Sequence, residues 1–456
     1  MSMIQKQKEK FMQDAGQIAD ALIDYAQTHG KSAGLSDVEI YISGHNETSV
    51  SVEDGEPAMT ENGAVDEITI KLFAGDRKIA FSRNIGNLDQ IKKAISDNLQ
   101  LLPHVPENPD TRLAASEDVA QAMKEDLDLF DADDVTSQDL IAYALKVEKE
   151  VYANKQVKSC RSVSASQNVS MVYHKATNGI ERALARTKYS AGASVIAEAN
   201  EKMEIGGEYY GARHFKDMPD AKLLGRDAAN DAVSKLGSEQ PETGDYPIVL
   251  DHGTAAGFFS TVMSAISGNA VYQNATILKD SLGQSVMPKD ITIEDDPSLE
   301  RGLGSQSVDS AGIASQKMTF IEKGVVKSYV LNLHSARKLK QKPIGRESGL
   351  TNTRVQPGTQ TPESLIKNIK KGILIKGFNG GTVNLQNGTY SRPAYGVMIE
   401  DGKITDKPVS GFIVAGDLKE AFQNVSIAND TPSQPDSKYR FAAPTTRIDG
   451  MTVSGK

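Results

Sequence analysis

Twice before residue 240 this chain runs helix, antiparallel strands, helix, and that order constrains its fold more than any other feature. The first run opens on an amphipathic helix whose stripe is Phe11, Ile18, Ala21, Leu22 and Tyr25. Val38, Ile40 and Ile42 then alternate with polar residues, as a half-buried strand should, and Val50 and Val52 continue the alternation. Ile68, Ile70, Leu72 and Phe73 predict a further strand. Ala74-Gly75-Asp76 predicts a tight turn, with Lys78 to Phe81 as the returning partner. Asn87 to Leu102 is again helical. In the second run Thr136 caps a helix over Gln138 to Tyr152. Strand material follows over Val157 to Tyr173, then two long strands over Ile180 to Ala193 and Ser194 to Glu208, then a helix over Asp220 to Leu236. Asn178-Gly179 holds the place that Asn62-Gly63 holds in the first run. Identity between the runs is slight, so the pattern alone suggests a structural repeat.

Punctuation sets the expected organisation. Pro103 to Pro109 (PHVPENP) breaks the first unit, and Ser238 to Pro247 (SEQPETGDYP) closes the second. An acidic stretch, Glu125 to Asp134, reads as a solvated linker. The expected domains are 1–110, 111–240 and 241–456. The last is rich in short strands: Pro247 to Asp251, Ile291 to Glu294, Gln316 to Glu322, Gly324 to Asn332, Ile373 to Gly377, Gly381 to Leu385, Ala394 to Glu400 and Lys403 to Thr405. Helices are expected over Thr254 to Ser267, Ser335 to Lys340 and Thr361 to Lys371. The fold class is α+β, with two N-terminal helix–antiparallel sheet–helix units followed by a large antiparallel β-rich domain bearing a few helices.

Composition narrows the function classes. Net charge is -9 and no long Lys/Arg tract occurs, which opposes direct nucleic-acid binding and anionic membranes. The single cysteine, Cys160, forms no intramolecular disulfide; it reads as a small, partly buried side chain. The N-terminus carries no apolar signal-peptide core, and no run reaches membrane-spanning length. A cytoplasmic protein without membrane or nucleic-acid partners is expected.

No motif announces chemistry. None of the seven histidines lies four residues from another, and neither HExxH nor HExxxH occurs. A metal site built from distant residues is disfavoured. GHNE (Gly44 to Glu47) reads as a polar hairpin tip. In IEDDP (Ile293 to Pro297) neighbouring carboxylates point to opposite strand faces, so they form no acid/base dyad, and Asp296 before Pro297 reads as a turn initiator. GLGSQ (Gly302 to Gln306) and GRESG (Gly345 to Gly349) read as flexible loops without a P-loop ending. No G-x-S-x-G elbow occurs. The helix around GFFSTVMSAISG buries Phe258, Phe259, Val262, Met263 and Ile266 on one face and turns Ser260, Ser264 and Ser267 to another.

Several long stretches resemble the TldD/PmbA family, whose members have been called modulators of DNA gyrase. They are LDHGTAAGFFSTVMSAISGNAVYQNATILKDSLGQSV, ITIEDDP, GLGSQSVDSAGIASQKMTFIEKGVVKSYVLNLHSARKL, LIKNIKKGILIKGFNGGTVNLQNGTYSRPAYGVMIEDGKI and TTRIDGMTVSG. The resemblance implies two subunit types. A TldD-like chain carries HExxxH on the helix after the LD strand, plus a C-terminal cysteine, and together these hold zinc. A PmbA-like chain, also called TldE, lacks the motif and pairs with the first as a peptidase. On this sequence the two histidine positions fall near Thr261 and Ile266 and the glutamate near Val262, and the C-terminal cysteine is missing. The resemblance is thus to the PmbA branch.

The resemblance therefore implies no catalytic residue and no cofactor in this chain, with zinc in a TldD-like paralogue. It implies unfolded peptides as substrates, in leader-peptide removal or antitoxin turnover. In the loop VDSAGIAS, Asp309 is kept, but Ser310 and Ala311 stand where relatives often carry acids. Asp309, His334, Arg337 and Ser391 are the expected substrate-groove or interface residues. The serine face of the Thr254 to Ser267 helix allows close packing, against the partner or within its own domain. Two alternatives stand beside this reading: a stand-alone enzyme, and a catalytically inactive peptide-binding or scaffold protein acting as a homodimer when the partner is absent.

Overall fold

The computed structural model describes residues 1–120, 126–432 and 441–456. Its first part comprises α1 (Met3–His29), β1 (Asp37–Glu53), β2 (Glu56–Ala74), β3 (Arg77–Asn84), α2 (Leu88–Leu101), α3 (Ser137–Val151), β4 (Val157–Ala176), β5 (Glu181–Ala199), β6 (Lys202–Ala212) and α4 (Ala221–Val233). The two helix–meander–helix runs are present, and their strands join in one antiparallel sheet, ordered β3-β2-β1-β4-β5-β6. The join is β1 against β4, from Glu39 opposite Ala176 to Val52 opposite Val163. The buried residues of β1 show how the helices sit. Val38, Ile40 and Ile42 pack with α1 and α2, whereas Val50 and Val52 pack with α3 and α4. All five are even-numbered and so share one face of the strand. Both helix pairs therefore cover the same side of the sheet, while Ser49, Ser51, Ser164, Ser166 and Ser190 stand on the other.

Local details differ from expectation for identifiable reasons. Along α1 the buried stripe is Ala15, Ala19, Leu22, Ile23 and Ala26, and Ala21 faces outward. Asn178-Gly179 makes the turn before β5, but Asn62-Gly63 lies inside the unbroken strand β2. The turn between the long strands falls not at Ala193 but at Asn200-Glu201, both with positive φ, where Asn tolerates the left-handed conformation. The acidic stretch is a strap rather than a solvated linker. Its Glu125 lies outside the described residues. Leu127 and Asp131 are buried. Asp131 accepts from Phe215 N at 2.9 Å, and Asp134 caps α1 by accepting from Met3 N and Ile4 N at 2.9 and 3.0 Å. These carboxylates are spent on backbone donors far away in sequence, which composition cannot show.

The remainder runs β7 (Gly244–Leu250), α5 (His252–Ala265), α6 (Gly268–Tyr272), β8 (Ile293–Asp295), β9 (Met318–Glu322), β10 (Val325–Val326), α7 (Leu333–Lys338), β11 (Thr353–Val355), α8 (Pro362–Ile366), β12 (Lys371–Phe378), β13 (Thr382–Val383), β14 (Thr389–Glu400), β15 (Lys403–Asp417), α9 (Leu418–Gln423), β16 (Val425–Ile427), β17 (Phe441–Ala442) and β18 (Thr446–Ser454). Pairings β7–β18, β18–β15, β15–β14, β14–β12 and β12–β7 close five strands into a barrel, all antiparallel except β12–β7. A second sheet, β10-β9-β8-β11-β17, stands beside it. GRESG is anchored rather than free: Arg346 is fully buried, its Nε 2.8 Å from Asp295, which also accepts from the Thr351 and Thr353 hydroxyls. GLGSQ is held likewise, with Gly304 N donating to Asn352 and Ser305 fully buried. Among the described residues no helix is long and apolar enough to cross a membrane.

Candidate functional site

Strand β7 runs directly into α5, and the junction explains where that helix sits. Asp251 ends the strand and caps the helix, its Oδ1 accepting from Thr254 N at 3.0 Å. Phe258, Phe259, Val262, Met263 and Ala265 bury one face in the core shared with the barrel. Phe258 meets Phe422 edge-to-face with ring centres 5.7 Å apart. The outward face carries Gly257, Ser260 and Ser264, with Thr261 half-buried beside them. Two of its hydroxyls turn back on the helix: Thr261 donates to Gly257 O at 3.1 Å and Ser264 to Ser260 O at 2.8 Å.

Of the three positions matched to a zinc motif, Val262 and Ile266 are fully buried and only Thr261 reaches the surface. Protein zinc is held by imidazole, thiolate and carboxylate, so glycine and back-bonded hydroxyls do not fit it. Among the described residues no three His, Cys, Asp or Glu side chains are grouped to hold a metal ion. Cys160 sits on β4, its Sγ 3.6 Å from Ser194 O. Burial, aided by the charge of Glu148, pushes its thiol up to about 11, away from nucleophilic use.

An open groove of about 960 Å³ lies between the start of α5, the barrel and α4. Glu208, Asp227, Asp231 and Asp251 line it, with Lys376 and Arg392 opposing them. Burial pushes the Tyr395 hydroxyl up to about 12, and Asp231, Asp251 and Glu208 add to the shift. His252, the exposed first residue of α5, holds Asp430 at 2.9 Å from its Nε2, and Asp430 also accepts from Thr445. Nothing in the sequence marked His252, since its partner is 178 residues away. Ser391 lies on β14 opposite Thr382 and Ala415, and it lines neither this groove nor the cavity below.

Of Asp309, His334 and Arg337, only His334 lines a cavity of about 610 Å³ where the first strands, the 110–113 connector and the barrel-side loops meet, and the other two hold backbone that lines it. Their roles differ. Asp309 is buried, and its carboxylate accepts from Ala311 N, Ile313 N and Glu347 N, each at 2.9 Å, so it shapes the loop. Burial nevertheless pushes that carboxyl above its ordinary range. His334 lines the cavity, Nε2 3.2 Å from the Tyr272 hydroxyl. Arg337 donates to Asp110 O, Arg112 O and Leu113 O at 3.1, 2.6 and 2.5 Å, fixing the connector. Ser310 and Ala311 line the same cavity.

Beneath the cavity lies a buried relay with no sequence signature. Arg182 Nε donates to His174 Nδ1 at 3.1 Å, and His174 Nε2 stands 2.8 Å from Glu39 Oε1. Arginine only donates, so His174 carries its proton on Nε2 and gives it to Glu39. Lys71 holds the other Glu39 oxygen at 3.0 Å. Burial alone would raise the Glu39 carboxyl, but the His174 hydrogen bond and Lys71 outweigh it and hold it below its ordinary value. Burial depresses His174 in turn. Arg182 also donates to Val308 O and Asp309 O, tying the sheet to the Asp309 loop.

Residues 130–236 match the PmbA/TldA metallopeptidase central domain and residues 243–455 the C-terminal domain. The chain belongs to the PmbA/TldD metallopeptidase family. It is 29% identical over 403 residues to metalloprotease PmbA of Escherichia coli O157:H7, covering 88% of each chain. It is 31% identical over 332 residues to the PmbA homologue of Buchnera aphidicola subsp. Acyrthosiphon pisum, covering 72% of this chain and 73% of that one. A crystal structure from Bacteroides thetaiotaomicron, of a protein called a modulator of DNA gyrase, superposes with a TM-score of 0.88 at 25% identity, covering 97% of this chain and 99% of that one.

Proposed function

We propose that this chain is the PmbA/TldE-like, non-metal-binding subunit of a two-subunit zinc metallopeptidase, paired with a TldD-like paralogue and acting in the cytoplasm on unfolded peptides. One observation carries the reading: in a metallopeptidase family, the outward face of α5 from Gly257 to Ser264 carries only glycine, serine and threonine where a metal-binding chain needs imidazole and carboxylate. The metal chemistry belongs to the partner, and this chain contributes walls that admit an extended peptide and refuse a folded one. Hydrogen bonding to a peptide main chain suits such substrates because it is indifferent to sequence.

The test is a mixing assay. The purified chain, its TldD-like paralogue and an equimolar mixture are each assayed on an unfolded peptide, and the zinc content of each is measured. Activity and one zinc per heterodimer in the mixture, with neither from this chain alone, is the expected result. Chelator-insensitive cleavage by this chain alone, or an ordered zinc held by its own residues, would defeat it. Peptide binding by a homodimer that never engages the paralogue would replace it with the scaffold alternative.

A further inference from the structure

Strand β2 outlasts its neighbour. β3 pairs with it only from Glu67 to Ala74, whereas β1 pairs with it from Glu56 to Phe73. Between Glu56 and Val65 the outer edge of β2 has no strand beside it among the described residues, and side chains on both of its faces are exposed. The direction of its backbone groups follows from two hydrogen bonds. Asp66 O accepts from Ile85 N on the outer side, and Phe73 O accepts from Ser36 N on the β1 side. In an antiparallel strand each residue sends its N–H and C=O the same way, and the direction alternates along the chain. Thr60, Asn62 and Ala64 therefore aim their N–H and C=O groups outward in a row.

Such an edge is normally blunted. Here Pro57 and a register shift beside Ser51 protect only the hairpin tip. Further along, open space surrounds Gly63, and Met59 and Val65 are more than half exposed. Charge selects the occupant. From Glu53 to Glu67 the chain holds Glu53, Asp54, Glu56, Glu61, Asp66 and Glu67, with no Lys or Arg. A cavity of about 480 Å³ borders Asn62 and Ala64, and its charged lining is Glu47, Asp133 and Asp134 alone. A second copy of β2 would set these acids against one another, and like charges facing across strands repel.

We propose that this edge binds an extended peptide carrying lysine or arginine at alternate positions, by strand addition. The inference rests on the peptide-handling reading above and names its substrate class and its docking strand. The peptide main chain pairs with Thr60, Asn62 and Ala64. Alternate residues of a strand share one face, so its basic side chains all lie beside Glu61 and, one strand further in, Glu47, which the β1–β2 register puts on that same face.

The experiment uses the full chain without the paralogue. Fluorescein-labelled octapeptides of alternating Lys-Thr, alternating Glu-Thr, and Lys-Thr N-methylated at every residue, which blocks both strand edges, are titrated by anisotropy. The Lys-Thr peptide should bind about tenfold more tightly than the Glu-Thr peptide and weaken with added salt. N-methylation should abolish binding. Ala64→Pro removes an outward donor while sparing the β1–β2 ladder, and should weaken binding about fivefold. Glu61→Lys should shift the preference toward the Glu-Thr peptide. Equal affinity for all three peptides, or unchanged affinity in Ala64→Pro, overturns the proposal. So does a dimer in sedimentation that Ala64→Pro dissolves, since a second copy would then own the edge. Failure here leaves the subunit reading standing, and an inactive mixture in the peptidase assay leaves this binding intact.

Discussion

Replacing His174 with leucine tests the buried relay most directly. His174 is fully buried, donates to Glu39 and accepts from Arg182. Leucine fills most of the same volume, so little of the cost comes from a cavity. Glu39 loses a charge-assisted hydrogen bond and Arg182 Nε is left without an acceptor. Breaking one member out of a buried charged network costs about 3–5 kcal/mol, and that is the expected loss at pH 7.5. The substitution should also remove a pH dependence. Burial depresses the proton affinity of His174 in the native state. The unfolded chain therefore takes up a proton as pH falls through the ordinary histidine value of 6.5 while the native chain does not. Wild-type stability should fall between pH 7.5 and 5.5 by up to about 1.4 kcal/mol from this group alone. The depressed Glu39 carboxyl acts only lower, losing its stabilising contribution below its ordinary value of 4.5. Urea unfolding followed by far-UV circular dichroism at both pH values measures each quantity. A loss smaller than about 1 kcal/mol at pH 7.5, or an acid-side drop identical in the two proteins, would show that the relay does not hold the sheet as argued.

Three further outcomes are expected. Gly206→Ala should destabilise by about 1–3 kcal/mol in urea unfolding, because its Cβ would fall 2.1 Å from Ala232 N on α4. Arg337→Ala releases three carbonyls of the 110–113 connector and should speed tryptic cleavage at Arg112, read by mass spectrometry, with the rest of the pattern unchanged. Cys160, raised from an ordinary 9.0 to about 11, should react with iodoacetamide about a hundredfold more slowly than a free thiol at pH 7.5. Glu148→Gln removes the nearby negative charge and should speed that reaction.

What the sequence could reveal follows the range of the interactions involved. Helix α2 was legible from its apolar phase, Leu88, Ile91, Ile95 and Leu99, and α3 because its cap, Thr136, lies within three residues of the donor it satisfies. The strands of each meander were legible because alternation is local. The single sheet was not, since β1 finds β4 across more than a hundred residues with no turn to mark the pairing. The apparent equivalence of Asn62-Gly63 and Asn178-Gly179 did not carry through, because pairing with β1 keeps residues 62–63 in a strand. The long strand β15 was read only as Lys403 to Thr405, its irregular register with β14 hiding the period of two. Around the site, the helix at Ser335 was read from the sequence, whereas Asp309, His334 and Arg337 became site candidates through the resemblance. Glu39, His174 and Arg182 did not, because a buried charge declares itself only through partners.

The barrel has one more consequence, for synthesis. Its opening strand β7 is flanked by β18 and β12. Neither partner exists when β7 leaves the ribosome, and β18 emerges almost two hundred residues later. Until then the strand and the helix α5 it launches have no ring to rest on. Chaperones should therefore engage nascent chains of this protein from β7 onward and release them only once Thr446–Ser454 has cleared the exit tunnel.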